Sequence, residues 1–384
     1  MSKPLRILVV EDSENDTLLL LHELRRGDYD PTFERVDTPA AMGAALERQS
    51  WDVVVADFSM PQFNALAALE LLKKRELDLP FIIVSGTIGE ELAVAAMKNG
   101  AKDYIMKGNL ARLLPAVDRE LLEAVERRER KRVEDQLSKT QEQFRVAREI
   151  QQRLFPKTSP QSGPFEIAGA SYPAEATGGD YFDYLPLAQD CLGIVVADVT
   201  GHGVGPALLM AETRAYLRTL AMNATDVGEI VTRVNRVLAE DVDFERFVTL
   251  MLARIDPASH SLVYTSAGHP NGYVLDAAGE VKAVLKRTGV PLGLKPDSIY
   301  RPAPPVPLLA GDIVLLLTDG IEEAISPENT FFGVQRILAV ARDHSKETAR
   351  QILDGLFAAV RDFSQDLPQQ DDLTLVVVKV NPPA

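Results

Sequence analysis

Two sets of acidic residues in this 384-residue chain stand where chemistry on phosphate groups would need them. The first is Glu11, Asp12 and Asp57, joined further along by Ser85 and Lys107. Each closes or follows a short apolar run: LRILVV, VVVA, FIIV or DYIM in turn. Three carboxylates in one crevice repel one another unless a cation joins them, and all-oxygen donors suit Mg²⁺. A hydroxyl and an ammonium on the same rim suit the oxygens of a phosphoryl group, which a carboxylate can accept as a nucleophile. The second set is Asp180 in GGDYFD, Asp198 in VVADVTGHGVG, Asp319 in LLLTDGIEEA, and Asp371 with Asp372 in QQDDLTLVVV. Each again borders an apolar run that can hold the carboxylate rigidly, and Gly178, Gly179, Gly201, Gly203 and Gly320 allow tight backbone beside them. With backbone carbonyls and water, such a set forms an oxygen-only site for two Mg²⁺ or Mn²⁺ ions. Two ions about 3.5–4 Å apart can activate a water and hold a phosphate for in-line attack.

The elements that must position the first set alternate. Strand patterns cover 5–10, 32–36, 52–56, 81–84 and 103–106, and helical patterns cover 14–26, 39–48, 64–75, 89–99 and 110 onward. Five such units within residues 1–114 predict an α/β domain with a doubly wound five-stranded parallel sheet, whose ligands sit at the carboxyl ends of the strands. Residues 157–384 carry the second set on a different pattern. Strands are expected at 165–172, 181–185, 192–198, 247–255, 262–267, 272–275, 313–318 and 374–380, with helices at 205–222, 226–241, 333–343 and 346–363. Strands grouped around two pairs of helices predict an α+β sandwich.

Between the two domains, residues 115–156 read as a linker formed by one helix, Ala116–Phe155. It has no Gly or Pro inside and is rich in charge and strong helix formers, so it should run for about 60 Å. Val133, Leu137, Thr140, Phe144, Ala147 and Leu154 fall on a heptad seam, with Gln151 its polar exception. Val117, Leu121 and Ala124 form a stripe in another phase, as a stutter would give. The pattern predicts a two-stranded coiled coil joining two copies of the chain through residues 116–155; a solvated spacer is the competing reading.

Composition narrows the function. The net charge of −15, carried mostly beyond residue 156, argues against nucleic acid as a partner. No apolar run approaches the roughly 18 residues of a membrane span and no signal-peptide core begins the chain, so no membrane partner and a cytoplasmic location are expected. Cys191 is the one cysteine, and Ala197 stands where a cysteine-phosphatase loop would have arginine. His202 and His269 lie in glycine-containing loops, where shaping the loop is favoured over proton donation.

Residues 1–114 resemble the response-regulator receiver domain. The resemblance implies that Asp57 is the phosphoacceptor, that Glu11 and Asp12 join it on one Mg²⁺, and that Ser85 and Lys107 contact the phosphoryl group, with Tyr104 as the switch aromatic. It implies a histidine kinase or phosphotransfer protein as partner. The chain departs from the family at Gly108, where proline usually follows the lysine, and in Gln-Phe-Asn-Ala after Met60-Pro61. From about Arg145 onward the chain resembles PPM-type metal-dependent protein phosphatases, closest to the bacterial branch of the stage II sporulation and partner-switching enzymes. SAGHP at 266–270 and TGVPLGL at 288–294 belong to that likeness. It implies that Asp180, Asp198, Asp319, Asp371 and the Val199 carbonyl are metal ligands, with Asp372 behind them or as a weaker one. Asn271 departs from the pattern, and the phosphate-binding arginine of eukaryotic relatives has no counterpart. Together the resemblances imply a response regulator whose output is hydrolysis of phosphoserine or phosphothreonine, on a phosphorylated anti-sigma-factor antagonist. A non-catalytic adaptor with a phosphatase-like domain is the alternative.

Overall fold

β-branched runs buried on both faces, such as VVVAD and FIIVS, form interior parallel strands. A computed structural model of the chain describes residues 2–382 apart from 87–89, 161, 223, 243–245 and 366. It divides into two compact units, Met1–Lys139 and Thr140–Ala384.

The first unit runs β1 (Lys3–Val10), α1 (Glu14–Arg26), β2 (Tyr29–Val36), α2 (Pro39–Arg48), β3 (Val53–Asp57), α3 (Ala65–Lys74), β4 (Phe81–Ser85), α4 (Glu90–Lys98) and β5 (Asp103–Met106). Residue 89, the expected first residue of α4, lies outside the described residues. The strands form one parallel sheet in the order β2-β1-β3-β4-β5, the doubly wound arrangement expected. Its two faces alternate residue by residue. Leu8, Val54 and Ile83 pack with α2 and α3, while Ile7, Val55 and Ile82 pack with α1 and with Leu113, Ala116 and Val117. Ser13, Thr38 and Asn64 cap α1, α2 and α3 by accepting from the amides of Asp16, Ala41 and Ala67.

The long helix α5 spans Leu113–Gln152, preceded by a 3₁₀ segment Lys107–Arg112 that the trans Lys107–Gly108 peptide opens. Pro115 falls in its first turn, where a missing N–H breaks no helical bond. The helix ends three residues before the expected Phe155. Arg153 and Leu154 turn off it, their amides donating to Ile150 and Gln151 carbonyls at 3.1 and 2.9 Å. The seam also needs correction at both ends. Val117 and Ala124 are buried, and Val117 packs on the parallel sheet of the first unit, so burial within its own domain rather than a coiled-coil stutter sets that stripe's phase. Gln151 is buried rather than lying on an open seam, and Leu154 packs into the core of the second unit. Val133, Leu137 and Phe144, between those ends, are exposed.

The second unit continues with β6 (Phe165–Tyr172), β7 (Tyr181–Pro186), β8 (Leu192–Val199), α6 (Val204–Leu220), α7 (Val227–Asp241), β9 (Val248–Asp256), β10 (Ser261–Ala267), β11 (Gly272–Leu275), β12 (Val281–Leu285), β13 (Val306–Pro307), β14 (Ile313–Leu317), α8 (Asp319–Glu322), α9 (Gly333–Asp343), α10 (Ala349–Ser364) and β15 (Leu373–Val380). Two antiparallel sheets, β13-β10-β9-β8-β7 and β12-β11-β14-β15-β6, stack on a shared core that includes Ile194, Val196, Met251, Val314, Leu316 and Val376. Helices α6 and α7 cover the first sheet and α8, α9 and α10 the second, giving the expected α+β sandwich. Among the described residues no helix is long and apolar enough to cross a membrane.

Candidate functional site

The parallel sheet gathers the first acidic set at the carboxyl ends of β1, β3, β4 and β5. Glu11, Asp12 and Asp57 present ligand oxygens that all lie within 4.8 Å of one another, the one such group of three among the described residues. Glu11 and Asp57 are buried while Asp12 is exposed. Lys107 reaches into the crevice, its Nζ 2.9 Å from Glu11 Oε2 and 3.0 Å from Asp57 Oδ2, and it also pairs with Asp16. Burial works against the ammonium, but its three carboxylate partners outweigh that and raise its pKa. Burial likewise raises Glu11, opposed by Lys107 and by the Ser13 amide at 3.1 Å. The Ser59 amide donates to Asp57 Oδ1 at 3.3 Å, and Arg35 Nη1 donates to the carbonyls of Glu11 and Asp12 at 3.1 and 3.2 Å. Ser85 is fully buried at the end of β4, and Tyr104 meets Phe58 edge-on at 6.5 Å. Asp16, the third anion on Lys107, was not singled out by sequence reasoning. Its signal is its place in the first turn of a helix that opens directly after β1.

The second set converges from four separate strand ends. Asp180 precedes β7, Asp198 sits near the end of β8, Asp319 follows β14, and Asp371 and Asp372 lead into β15. Asp180 is buried, and burial first, then the charge of Asp198, pushes its carboxyl well above the usual range. Burial followed by the charges of Asp319, Asp371 and Asp372 pushes Asp198 up to about 7. Asp371 is raised by burial, with Asp319 and Asp372 adding to it. Among the described ion pairs no lysine or arginine meets any of these five. No three of these five bring their oxygens within 4.8 Å of one another as the first set does. Oxygen donors that gather at neighbouring strand ends, three of them raised by burial and by adjacent aspartates and none paired with a cationic side chain, are still a donor set that fits hard divalent cations.

The scaffold behind this cluster is closely built. Asp372 Oδ2 accepts from the Asp180 amide at 3.2 Å and Oδ1 from the Ala174 amide at 2.8 Å, while Thr318 Oγ1 donates to Asp180 Oδ2 at 2.7 Å. Glycines are required here by contact. A Cβ on Gly179 would lie 2.5 Å from the Val199 carbonyl oxygen, and one on Gly320 would lie 2.1 Å from the Asp372 carbonyl oxygen. Gln151, in the last turn of α5, grips the same loop like a strand edge: its Nε2 donates to the Gly178 carbonyl at 2.6 Å and its Oε1 accepts from the Gly178 amide at 3.1 Å. Phe155 adds a ring contact to Phe182 at 5.5 Å. Asp183, fully buried, takes a two-pronged contact from Arg218 at 2.6 and 2.7 Å and so ties β7 to α6. His269 bridges Thr249 Oγ1 and the Leu317 carbonyl at 2.9 and 3.1 Å; burial drops its pKa to about 3, so it stays neutral and joins two strand ends. His202 is exposed and pairs with Glu175 at 3.0 Å. Asp183 and Thr318 escaped sequence reasoning, and Gln151 stood out there only as a polar break in the heptad seam, because a single Gln, Asp or Thr announces nothing until its partners are known.

The raised carboxyls carry a stability consequence. In the metal-free protein, native Asp198 holds a proton between its unfolded pKa of 3.8 and about 7, so unfolding free energy falls as pH rises through that window. Asp198→Asn has no charge to bury. In EDTA it is expected to melt above the parent at about pH 7.5 and level with it near pH 4 in thermal denaturation. A variant melting below the parent at both values would contradict this electrostatic picture.

Comparison with known proteins agrees with this geometry. The family model described as Stage II sporulation protein E matches residues 188–381, and that described as Response regulator receiver domain matches 7–118. Phosphoserine phosphatase RsbU of Bacillus subtilis is 27% identical over 237 residues, covering 62% of this chain and 70% of its own length. Protein IcfG of Synechocystis is 25% identical over 402 residues, covering 97% of this chain, which spans 58% of that relative's length. Among solved structures, the SiaA-PP2C domain of Pseudomonas aeruginosa superposes with a TM-score of 0.56 at 25% identity, over 63% of this chain and 98% of its own.

Proposed function

The chain belongs to the stage II sporulation protein E family and carries a response-regulator receiver domain, and from that premise we propose that it hydrolyses phosphoserine or phosphothreonine on a protein under the control of Asp57. The observation that carries the reading is the gathering of five aspartates at four strand ends without a paired cationic side chain, with Asp180, Asp198 and Asp371 raised by burial and by neighbouring aspartates. In this reading Asp180, Asp198, Asp319, Asp371 and the Val199 carbonyl hold two Mg²⁺ or Mn²⁺ ions. When bound, the ions supply a water nucleophile near neutral pH and offset the charge of the phosphate ester. Asp372 and Thr318 fix the Asp180 backbone and carboxylate, and Gly179 leaves the Val199 carbonyl uncovered. His269, neutral and bonded at both ring nitrogens, holds the strand ends together and moves no proton.

The receiver supplies control. Asp57 accepts a phosphoryl group from a histidine kinase or phosphotransfer protein, with Glu11 and Asp12 beside it on one Mg²⁺. Lys107 then exchanges carboxylate partners for phosphoryl oxygens, joined by Ser85, and Tyr104 responds. Helix α5 passes the change on: its start is part of the receiver core, and its end holds Gly178 through Gln151. Val133, Leu137 and Phe144 support pairing of two chains along its middle. The proposed substrate is a phosphorylated anti-sigma-factor antagonist, in the cytoplasm. Phosphate release from a phosphoserine protein, with and without Mn²⁺, tests the enzyme reading. Release that depends on Mn²⁺ is expected; an adaptor that merely binds its partner would release none under either condition.

A further inference from the structure

Beside the aspartate cluster the second unit contains a cleft of about 590 Å³, within the usual size of built ligand pockets of about 300–1,000 Å³. Its walls are largely apolar: Ile325 and Phe331 on one side, Val360 and Leu367 on another, with Tyr172 and Phe357 between. The Tyr172 and Phe357 rings meet edge-on at 4.8 Å and make a firm surface. Phe331 is 61% exposed, yet its backbone is fixed, because Arg336 Nη1 donates to the carbonyls of Phe331 and Phe332 at 3.1 and 2.8 Å. The rim carries amide and hydroxyl groups from Ser364, Gln365 and Gln370 together with the charged side chains of Glu323 and Arg361.

The cleft is physically joined to the candidate metal site. Gly320 and Asp371 line both, and Gln369 Nε2 donates to the carbonyls of Tyr172 and Asp371 at 2.7 and 2.8 Å, tying the cleft wall to the ligand loop. A peptide whose phosphate sits at the aspartates carries its neighbouring residues past this opening, since an extended chain advances about 3.3 Å per residue. We propose that the cleft receives an apolar side chain of the phosphoprotein substrate, one to three residues from its phosphorylated residue, and so sets sequence preference. This rests on the protein-phosphatase reading. Apolar walls reward an aliphatic side chain by its buried area, while the amide rim can satisfy the N–H and C=O groups of an extended backbone.

The test uses the full chain with Mn²⁺ and two phosphoserine peptides that differ in carrying Leu or Gly at the three positions on each side of the phosphoserine. The ratio of kcat/KM values, Leu peptide over Gly peptide, is expected to be about 10 for the parent, to approach 1 in Phe331→Asp, and to be restored in Phe331→Leu. A parent ratio near 1, or a ratio unchanged in Phe331→Asp, overturns the proposal. Para-nitrophenyl phosphate separates the two failures. If the parent releases phosphate from it under Mn²⁺ but shows no peptide preference, the cleft proposal has failed; if it releases none from any substrate, the phosphatase reading has failed and the cleft proposal falls with it.

Discussion

Asp180→Asn is expected to abolish metal-dependent phosphate release, by at least about 10³-fold, while leaving the fold in place. Asn keeps the volume of Asp and can still accept from Thr318 Oγ1, which lies 2.7 Å from Asp180 Oδ2. The backbone N–H of residue 180 still donates to Asp372 Oδ2. What disappears is one negative charge at a buried position where burial and Asp198 already make that charge costly. The chemistry therefore loses a donor to the cations, while the metal-free protein loses a repulsion. Thermal denaturation in EDTA should place the variant at or above the parent, and that separates lost chemistry from lost structure. Turnover at the parent's level would remove Asp180 from the site.

Gly179→Ala is expected to cost at least about 100-fold in turnover although it alters no charged group. The added Cβ would lie 2.5 Å from the Val199 carbonyl oxygen and 3.4 Å from its carbon. At Val199 the β8 backbone is held by pairing with Val248 of β9, so it cannot yield as a flexible side chain would. The loop carrying Gly178, Gly179 and Asp180 must then move, and Gln151 and Asp372 hold it from two directions. A shift of the carboxylate by even about 1 Å is enough for a loss of this size. The check is the Mn²⁺ dependence of phosphate release, where the variant should need more Mn²⁺ and reach a lower maximum. Parent-like kinetics would mean that the Val199 carbonyl is not part of the site.

Much of the fold was legible because its signals are local. Helices α1 and α2 begin and end at the residues expected, each with a side-chain cap, Ser13 or Thr38, directly before its first turn. Most of the strands holding the carboxylates are apolar runs rich in β-branched residues with an acidic residue at or just beyond one end, so the periodicity placed the chemistry with the strand; β7, YFDYLP, is the exception. Elements with little burial or few residues were missed: β12 is an edge strand of mixed polarity, β13 has two residues, and α8 is a single turn. The long helix shows a different limit. Heptad arithmetic finds the residues that want burial but not what buries them. Val117 goes into its own receiver, Leu154 into the second unit's core, and Gln151 onto the Gly178 peptide. The candidate sites divide the same way. Acidic residues at strand ends were readable from type and spacing, whereas Asp16, Thr318 and Gln151 act through partners that lie 91, 138 and 27 residues away along the chain.

The coupling of the two units is the centre of the account, and one measurement reaches it most directly. Phosphate release from a phosphoserine protein by the full chain is followed under Mn²⁺ before and after beryllofluoride, which mimics a phosphoryl group on the receiver aspartate. The account predicts that beryllofluoride changes the rate by at least about fivefold in the parent and leaves Asp57→Asn unaffected. Equal rates in the parent with and without the mimic, from an enzyme that hydrolyses the substrate, would contradict it.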